Sequence, residues 1–210
     1  MAGYIVTIAQ QKGGSGKTTL AANLATAALQ SGLRVAIVDT DPQGSLGKWF
    51  MKRLDLLGED ETLRFATASA WGISYEMRSL KKLCDLVIVD TPPKADSDLR
   101  PALREADRIL VPVAASHVDL WATQDMLDLA SREFKRAGIV MNRTRPGTRL
   151  GAEVAAAAAE IDADLLSSSL GNRVAYAEAL GKGLGVIELQ RNSAAAAEVR
   201  ALADEVLGAI

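Results

Sequence analysis

The sequence predicts an α/β fold: a doubly wound, mostly parallel sheet flanked by helices. Three observations carry that prediction. Short unbroken aliphatic runs recur along the chain and alternate with segments of helical periodicity. A strand of uniform aliphatics has no polar face, so it must be covered on both sides, as a parallel sheet is by its helices. Glycine, lysine and aspartate follow these runs, where the crevice at the C-terminal edge of such a sheet would lie.

Tyr4 to Ala9, rich in β-branched residues, reads as the first strand. A glycine-rich turn follows, then a helix from about Lys17 to Ser31 that Gly32 stops. Leu33 to Val38 reads as a second buried strand, Gly44 to Leu57 as a helix and Gly58 to Glu61 as a turn. Leu63 to Ala68 is the third expected strand and Ser74 to Leu83 the next helix. Leu86 to Val89 is four aliphatics ended by Asp90, after which Thr91-Pro92-Pro93 prevents a continuing ladder or helix. Asp98 to Ala106 reads as helix, Ile109 to Val113 as strand and Leu120 to Lys135 as helix. Gly138 to Met141 is a strand that Asn142-Arg143 ends.

Beyond that point the chain reads as helix-rich. Gly151 to Ile161 holds the alanine run Ala155 to Ala159, which is good helix-forming composition. Ser193 to Leu207 reads as an amphipathic helix with Val199, Leu202, Val206 and Leu207 toward the core. No linker, repeat or low-complexity segment interrupts the pattern, so one domain is expected over residues 1–210.

Composition narrows the function classes. Net charge is −2, which announces no global field for nucleic acid or membrane. The single cysteine, Cys84, excludes an internal disulfide and fits a reducing cytosol. No signal peptide is expected at Met1-Ala2-Gly3, and no apolar run approaches the roughly 20 residues of a membrane helix.

The strongest motif is Gln11-Lys12-Gly13-Gly14-Ser15-Gly16-Lys17-Thr18-Thr19, between an expected strand and an expected helix. Glycines let the backbone bend around phosphate oxygens, and the N–H groups of the loop and helix start favour the anion. In such a loop Lys17 contacts the β- and γ-phosphates, Thr18 gives a hydroxyl to Mg²⁺, and Thr19 is placed for the α-phosphate. Asp90, after its four aliphatics, stands where a Walker B aspartate holds Mg²⁺ through water. Asp39 and Asp41 close the second strand in Val38-Asp39-Thr40-Asp41-Pro42-Gln43-Gly44 and face the same crevice. Carboxylates and phosphates in one crevice need a cation between them, so Mg²⁺ is implied. An Asn-Lys-x-Asp string of the guanine-binding kind is absent, which favours ATP.

One detail departs from the generic phosphate loop. Gln11 stands where the strict pattern has its first glycine, and Lys12 opens the loop. Here the sequence resembles the deviant Walker A family of ParA partition ATPases, MinD and the nitrogenase iron protein. The resemblance extends through Val111-Pro112-Val113, Ser116, Asp119, Leu120 and Trp121, and through Arg173-Val174-Ala175-Tyr176, Gly183 and Val186. It implies that Lys12 reaches across an ATP sandwich homodimer to the partner's nucleotide. It implies that Asp41 orients the attacking water, that Asp39 supports the Mg²⁺ shell, that Thr91-Pro92-Pro93 forms switch II, and that Asn142 meets the adenine edge.

Small ParA proteins fit best, since no helix-turn-helix has room before Tyr4 and operator-specific self-repression is not expected. Such dimers bind DNA without sequence preference, ride the nucleoid in the cytoplasm, and hydrolyse ATP slowly until a ParB-like or other cargo adaptor stimulates them. Candidate DNA contacts are Arg143, Arg145, Arg149, Arg173, Lys182, Arg191 and Arg200. From Arg132 onward ten Lys/Arg face ten Asp/Glu, so any basic patch must come from folding. Two alternatives stand beside this reading: a MinD-like membrane-positioning ATPase, and a metabolic ligase of the dethiobiotin-synthetase type. Iron–sulfur chemistry of the nitrogenase kind would need two cysteines per chain.

Overall fold

The computed structural model describes residues 3–69, 71–93, 99–145, 147–161 and 163–208. Seven strands form one sheet: β1 (Tyr4–Ile8), β2 (Val35–Asp39), β3 (Leu63–Thr67), β4 (Leu86–Asp90), β5 (Arg108–Ala114), β6 (Ala137–Thr144) and β7 (Asp164–Gly171). Their order is β3-β2-β4-β1-β5-β6-β7, with every adjacent pair parallel. The helices are α1 (Lys17–Gln30), α2 (Ser45–Leu57), α3 (Gly72–Leu83), α4 (Leu99–Glu105), α5 (His117–Arg132), α6 (Arg149–Ala159), α7 (Val174–Gly181), α8 (Val186–Leu189) and α9 (Ala194–Leu207).

Strand alternation explains the two layers of helix. Val6, Ile8, Val35, Ile37, Leu86 and Ile88 point to one face, where α1, α2, α7, α8 and α9 cover them. Ile5, Ala36, Val38, Val87 and Val89 point to the other, beneath α3 and α4. Farther along that face Ile109, Val111, Val113, Ile139 and Met141 meet α5 and α6. The chain winds outward from β1 in both directions, so the C-terminal ends of β1, β2 and β4 converge on the switch-point crevice.

Most expected elements are present, with shifts explained by caps. α5 begins three residues earlier than expected, because Ser116 accepts the Asp119 N–H and starts the helix at His117. Thr148 likewise caps α6 at the Gly151 N–H. Asp98 lies outside the described residues. The largest difference is β7, a strand where only helix-rich chain was expected; α7 and α8 agree with that expectation, though their bounds were not predicted. Ser167, Ser168 and Ser169 dilute the apolar signal of β7. On this outer strand the Ser167 and Ser168 N–H groups donate to Glu205 of α9, at 2.7 and 2.8 Å. Among the described residues no helix is long and apolar enough to cross a membrane.

α2 is fastened to the α7–α8 segment. Arg53 makes a bidentate pair with Glu188 at 2.9 Å, and Trp49 Nε1 donates to the Leu184 carbonyl at 3.2 Å. Gly183, at φ +74°, passes so close that a Cβ would lie 2.3 Å from the Arg53 nitrogen. These bonds fix one wall of the crevice.

Candidate nucleotide-binding site

The loop after β1 turns into α1 through Gly16, whose φ is +93°. A Cβ there would sit 2.3 Å from Asn142 Nδ2, so both conformation and space require glycine. As N-cap of α1 it supplies no side-chain acceptor. The first N–H groups of a 14-residue helix are therefore left for an anion.

Lys17 is buried at the head of α1, with Nζ donating to the Gln10 carbonyl at 3.0 Å. Burial pushes its pKa below the usual lysine value, while the Asp90 and Asp41 charges pull it back. Thr18 Oγ1 donates to Asp90 Oδ2 at 2.6 Å. Burial lifts the Asp90 pKa to about 7; the Thr18 bond opposes the shift and the Asp39 charge adds to it. Asp90 Oδ1 is buried without a hydrogen-bond partner among the described residues. A buried carboxylate oxygen without a donor, beside a hydroxyl, is a hard oxygen donor set that suits Mg²⁺. Among the described residues no three His, Cys, Asp or Glu gather as a metal cage. A magnesium ion here would therefore draw most of its ligands from phosphate and water.

Asp39 is the register partner of Asp90 on the adjacent strand. Its two oxygens accept the Asp41 N–H at 3.1 Å and the Gly47 N–H at 2.9 Å. It thereby ties the segment after β2 to the start of α2. Burial raises the pKa of Asp39. Asp41 accepts the Gln43 N–H at 2.9 Å within that segment and lines the crevice.

The crevice is a cavity of about 520 Å³, the size of a small-ligand site. Gly13, Gly14, Gly16, Lys17, Thr18 and Thr19 line it beside Asp41 and Pro93. Ser15 is buried behind them, and its carbonyl accepts Asn142 Nδ2 at 2.7 Å. Asn142 Oδ1 accepts the Arg143 N–H at 2.8 Å. The Asn142 amide nitrogen thus braces the phosphate loop, while its oxygen is held by the backbone of its own strand. A base edge would have to use the second Nδ2 hydrogen and the remaining Oδ1 lone pair.

Lys12 does not point into the crevice wall beside Lys17. Its Nζ pairs with Asp119 Oδ1 of α5 at 2.8 Å. Ser45, Lys48, Trp49 and Lys52 of α2 and Leu180 and Gly181 of α7 also line the cavity, and sequence reasoning missed them. The helical spacing of Ser45, Lys48, Trp49 and Lys52, directly after the Asp41 segment, was the available signal.

The basic residues predicted for DNA are dispersed in their roles. Arg143, at φ +52°, lines the nucleotide cavity. With Arg145 it also lines a second cavity beside α6. Arg149 pairs with Glu153 at 2.7 Å, and Arg173 pairs with Glu198 at 2.6 Å. Arg200 Nη2 donates to the Arg191 carbonyl at 2.8 Å. Lys182 ends α7 and is exposed.

A glycine-lined loop closing into a helix, with a buried lysine and a Thr–Asp pair at the switch point of a parallel sheet, defines a phosphate-loop nucleotide-binding protein. The CobQ/CobB/MinD/ParA nucleotide binding domain matches residues 6–186, and the chain belongs to that family, whose ParA and MinD members are ATPases. Maintenance of carboxysome distribution protein A of Halothiobacillus neapolitanus is 30% identical over 218 residues, covering 97% of this chain and 96% of its own. The chromosome-partitioning ATPase Soj of Thermus thermophilus is 31% identical over 159 residues, covering 64% of this chain and 63% of its own. An ATP complex of a Cyanothece McdA variant superposes with a TM-score of 0.82 at 19% identity, covering 99% of this chain and 97% of that one. The Pyrococcus furiosus cell division ATPase MinD gives 0.80 at 20% identity, covering 99% and 100%. Solved neighbours of this fold carry ATP, AMPPNP or Mg-ADP.

Proposed function

We propose that residues 1–210 act as one ParA-like ATPase domain that forms an ATP-dependent sandwich homodimer, binds DNA non-specifically and positions a cargo over the nucleoid. A ParB-like or other adaptor on the cargo would stimulate hydrolysis. The observation that carries this reading is the pair of loop lysines in different settings. Lys17 is buried under the crevice, while Lys12 is at its edge with a half-exposed side chain. A buried lysine serves its own nucleotide; an edge lysine must leave its ion pair with Asp119 to reach a facing copy. Similarity to a carboxysome-distribution protein along nearly the whole chain supports a large protein body as cargo.

Each residue has a role in this reading. The loop amides and the α1 terminus bind the phosphates, and Lys17 places positive charge at the β–γ bridge. Thr18 and Asp90 would hold Mg²⁺, which would supply positive charge against the phosphates. Asp39 fixes the segment that carries Asp41, and Asp41 orients the attacking water. Lys12 neutralises charge on the phosphoryl group of the facing subunit.

The test is co-sedimentation with random-sequence duplex in the absence of nucleotide and with ADP, ATP or a slowly hydrolysed analogue. Salt-sensitive binding with ATP or the analogue alone is the expected result. Asp41→Ala should accumulate as an ATP dimer on DNA; normal turnover by that variant would remove Asp41 from the mechanism. Binding in no state, with dimerisation measured separately, would end the DNA reading and favour a small-substrate ligase. The membrane alternative is less favoured because α9 spends Val199, Leu202, Ala203 and Val206 on the core. Liposome co-sedimentation with ATP tests it.

A further inference from the structure

Phe134 follows the C-terminal end of α5 and is 97% exposed, the most exposed large apolar side chain among the described residues. Its φ is +57°. The Phe134 N–H donates to Ser131 O at 2.9 Å and the Lys135 N–H to Ala130 O at 3.0 Å, closing the helix through a left-handed residue. Glycine is the residue that this closure favours. A β-carbon and an aromatic ring there are strained, and the ring gains no burial within the chain in return. Phe134 thus costs stability and contributes nothing to the core.

The residues next to Phe134 in the chain border a cavity. Ser131, Lys135 and Arg136 line a polar cavity of about 720 Å³ together with Tyr4, Arg108 and Asp164, and Phe134 lies at its rim by chain position, not in its lining. These residues begin β1, β5 and β7 or lie at and just beyond the end of α5. The cavity is therefore at the edge of the sheet opposite the nucleotide crevice. Its carboxylates are engaged: Asp164 pairs with Arg108 at 2.9 Å, and the Asp107 carboxylate in the same lining pairs with Lys81 at 2.6 Å. Among the described residues Lys135 Nζ donates only to the Ala106 carbonyl, at 2.6 Å, so its charge is not neutralised by that bond. Arg136 is exposed and forms no ion pair among the described residues.

We infer that Phe134, Lys135, Arg136 and this cavity form a docking site for an acidic peptide segment of a partner protein, with an apolar side chain packing on Phe134. Charge complementarity supports the acidic partner. A concave site whose lining includes two carboxylates suits a peptide with its own N–H donors better than a continuous polyanion such as duplex DNA. An exposed aromatic followed directly by two cations, with the preceding Glu133 already engaged by Arg100 at 3.3 Å, has the anchor-and-rim arrangement of a small recognition site. The inference goes beyond the ATPase reading and does not depend on it.

The test uses the full chain without nucleotide, so failure of the ATPase switch leaves the result interpretable. The probe is a fluorescent synthetic peptide of glutamate interspersed with leucine and phenylalanine, against the same peptide with lysine for glutamate. The acidic peptide should bind and the lysine peptide should not. Phe134→Gly should raise thermal stability, because glycine relieves the left-handed strain, yet weaken the acidic peptide by at least about tenfold, the loss expected of an anchoring aromatic. Arg136→Glu should weaken it similarly while remaining folded. The proposal is overturned if neither peptide binds, if both bind alike, or if these variants bind as the wild type does. Competition for the patch by random duplex or anionic vesicles, with the acidic peptide not bound, would assign the site to another occupant and overturn it equally.

Discussion

Lys12 Nζ lies 2.8 Å from Asp119 Oδ1, an ion pair that joins the edge of the phosphate loop to the first turn of α5. Asp119 is itself held by the hydroxyl of Ser116, the α5 cap, and its side chain is mostly buried. The lysine that would serve a facing subunit is therefore parked on a rigid element of its own chain. Lys12→Ala removes that lysine without touching Lys17. It should leave nucleotide binding by the isolated chain nearly unchanged and abolish ATP-dependent dimerisation or turnover. Nucleotide titration beside light scattering separates the two effects, and normal dimerisation and turnover together would remove the cross-subunit role.

Asp90 gives a pH-dependent prediction. Its folded pKa, about 7, stands above the ordinary carboxylate value of 3.8 because burial penalises the charge. Between those values the unfolded chain has released this proton and the folded chain has kept it, so stability of the nucleotide-free protein falls as pH rises. Asp90→Asn removes the buried charge. The variant should melt a few degrees above wild type near about pH 8, with the gain shrinking toward zero as pH falls to about 4. It should also lose Mg²⁺-dependent nucleotide affinity. A melting gain that is constant with pH would mean that the carboxylate is ionised throughout.

Asn142 separates two uses of one amide. As a brace it holds Ser15 O at 2.7 Å beneath the loop. Asn142→Ala should then weaken ATP and GTP by the same factor, about tenfold for a lost buried hydrogen bond and a loosened loop. A base contact would instead change the ratio of the two affinities. Competition binding of both nucleotides decides between them.

These placements show what the sequence could and could not reveal. The phosphate loop was legible because its glycines, lysine and threonines are contiguous and the chemistry needs them in that order. Asp90 was legible because four aliphatics force a strand that ends beside it. Pairing across the fold was not: nothing near Lys12 in sequence points to Asp119, and nothing near Ser15 points to Asn142. β7 was hidden by Ser167, Ser168 and Ser169, and the backbone donors of Ser167 and Ser168 are satisfied by Glu205 from a helix later in the chain. The bounds of α7 and α8 were out of view with β7, and with them the Leu180–Gly181 wall of the crevice.

The DNA-binding candidates divide by partner. Arg173 Nε and Nη2 both donate to Glu198 Oε1, while Glu198 Oε2 accepts the Tyr176 hydroxyl at 2.7 Å and the Gly171 N–H at 2.9 Å. That carboxylate ties β7, α7 and α9 together, and the Arg173 charge is spent on it. Lys182 makes no ion pair among the described residues. A cation already matched by a carboxylate releases fewer counterions on reaching DNA than an unmatched one. Arg173→Ala should therefore cost stability, about 1 kcal/mol, with little change in DNA affinity. Lys182→Ala should leave stability unchanged, weaken DNA binding in the ATP state, and reduce the slope of log affinity against log salt by about one per chain. Urea melts and a salt series on random duplex measure both. If Arg173→Ala lowers the salt slope and Lys182→Ala does not, Glu198 releases its partner when DNA binds, and Arg173 is the phosphate contact.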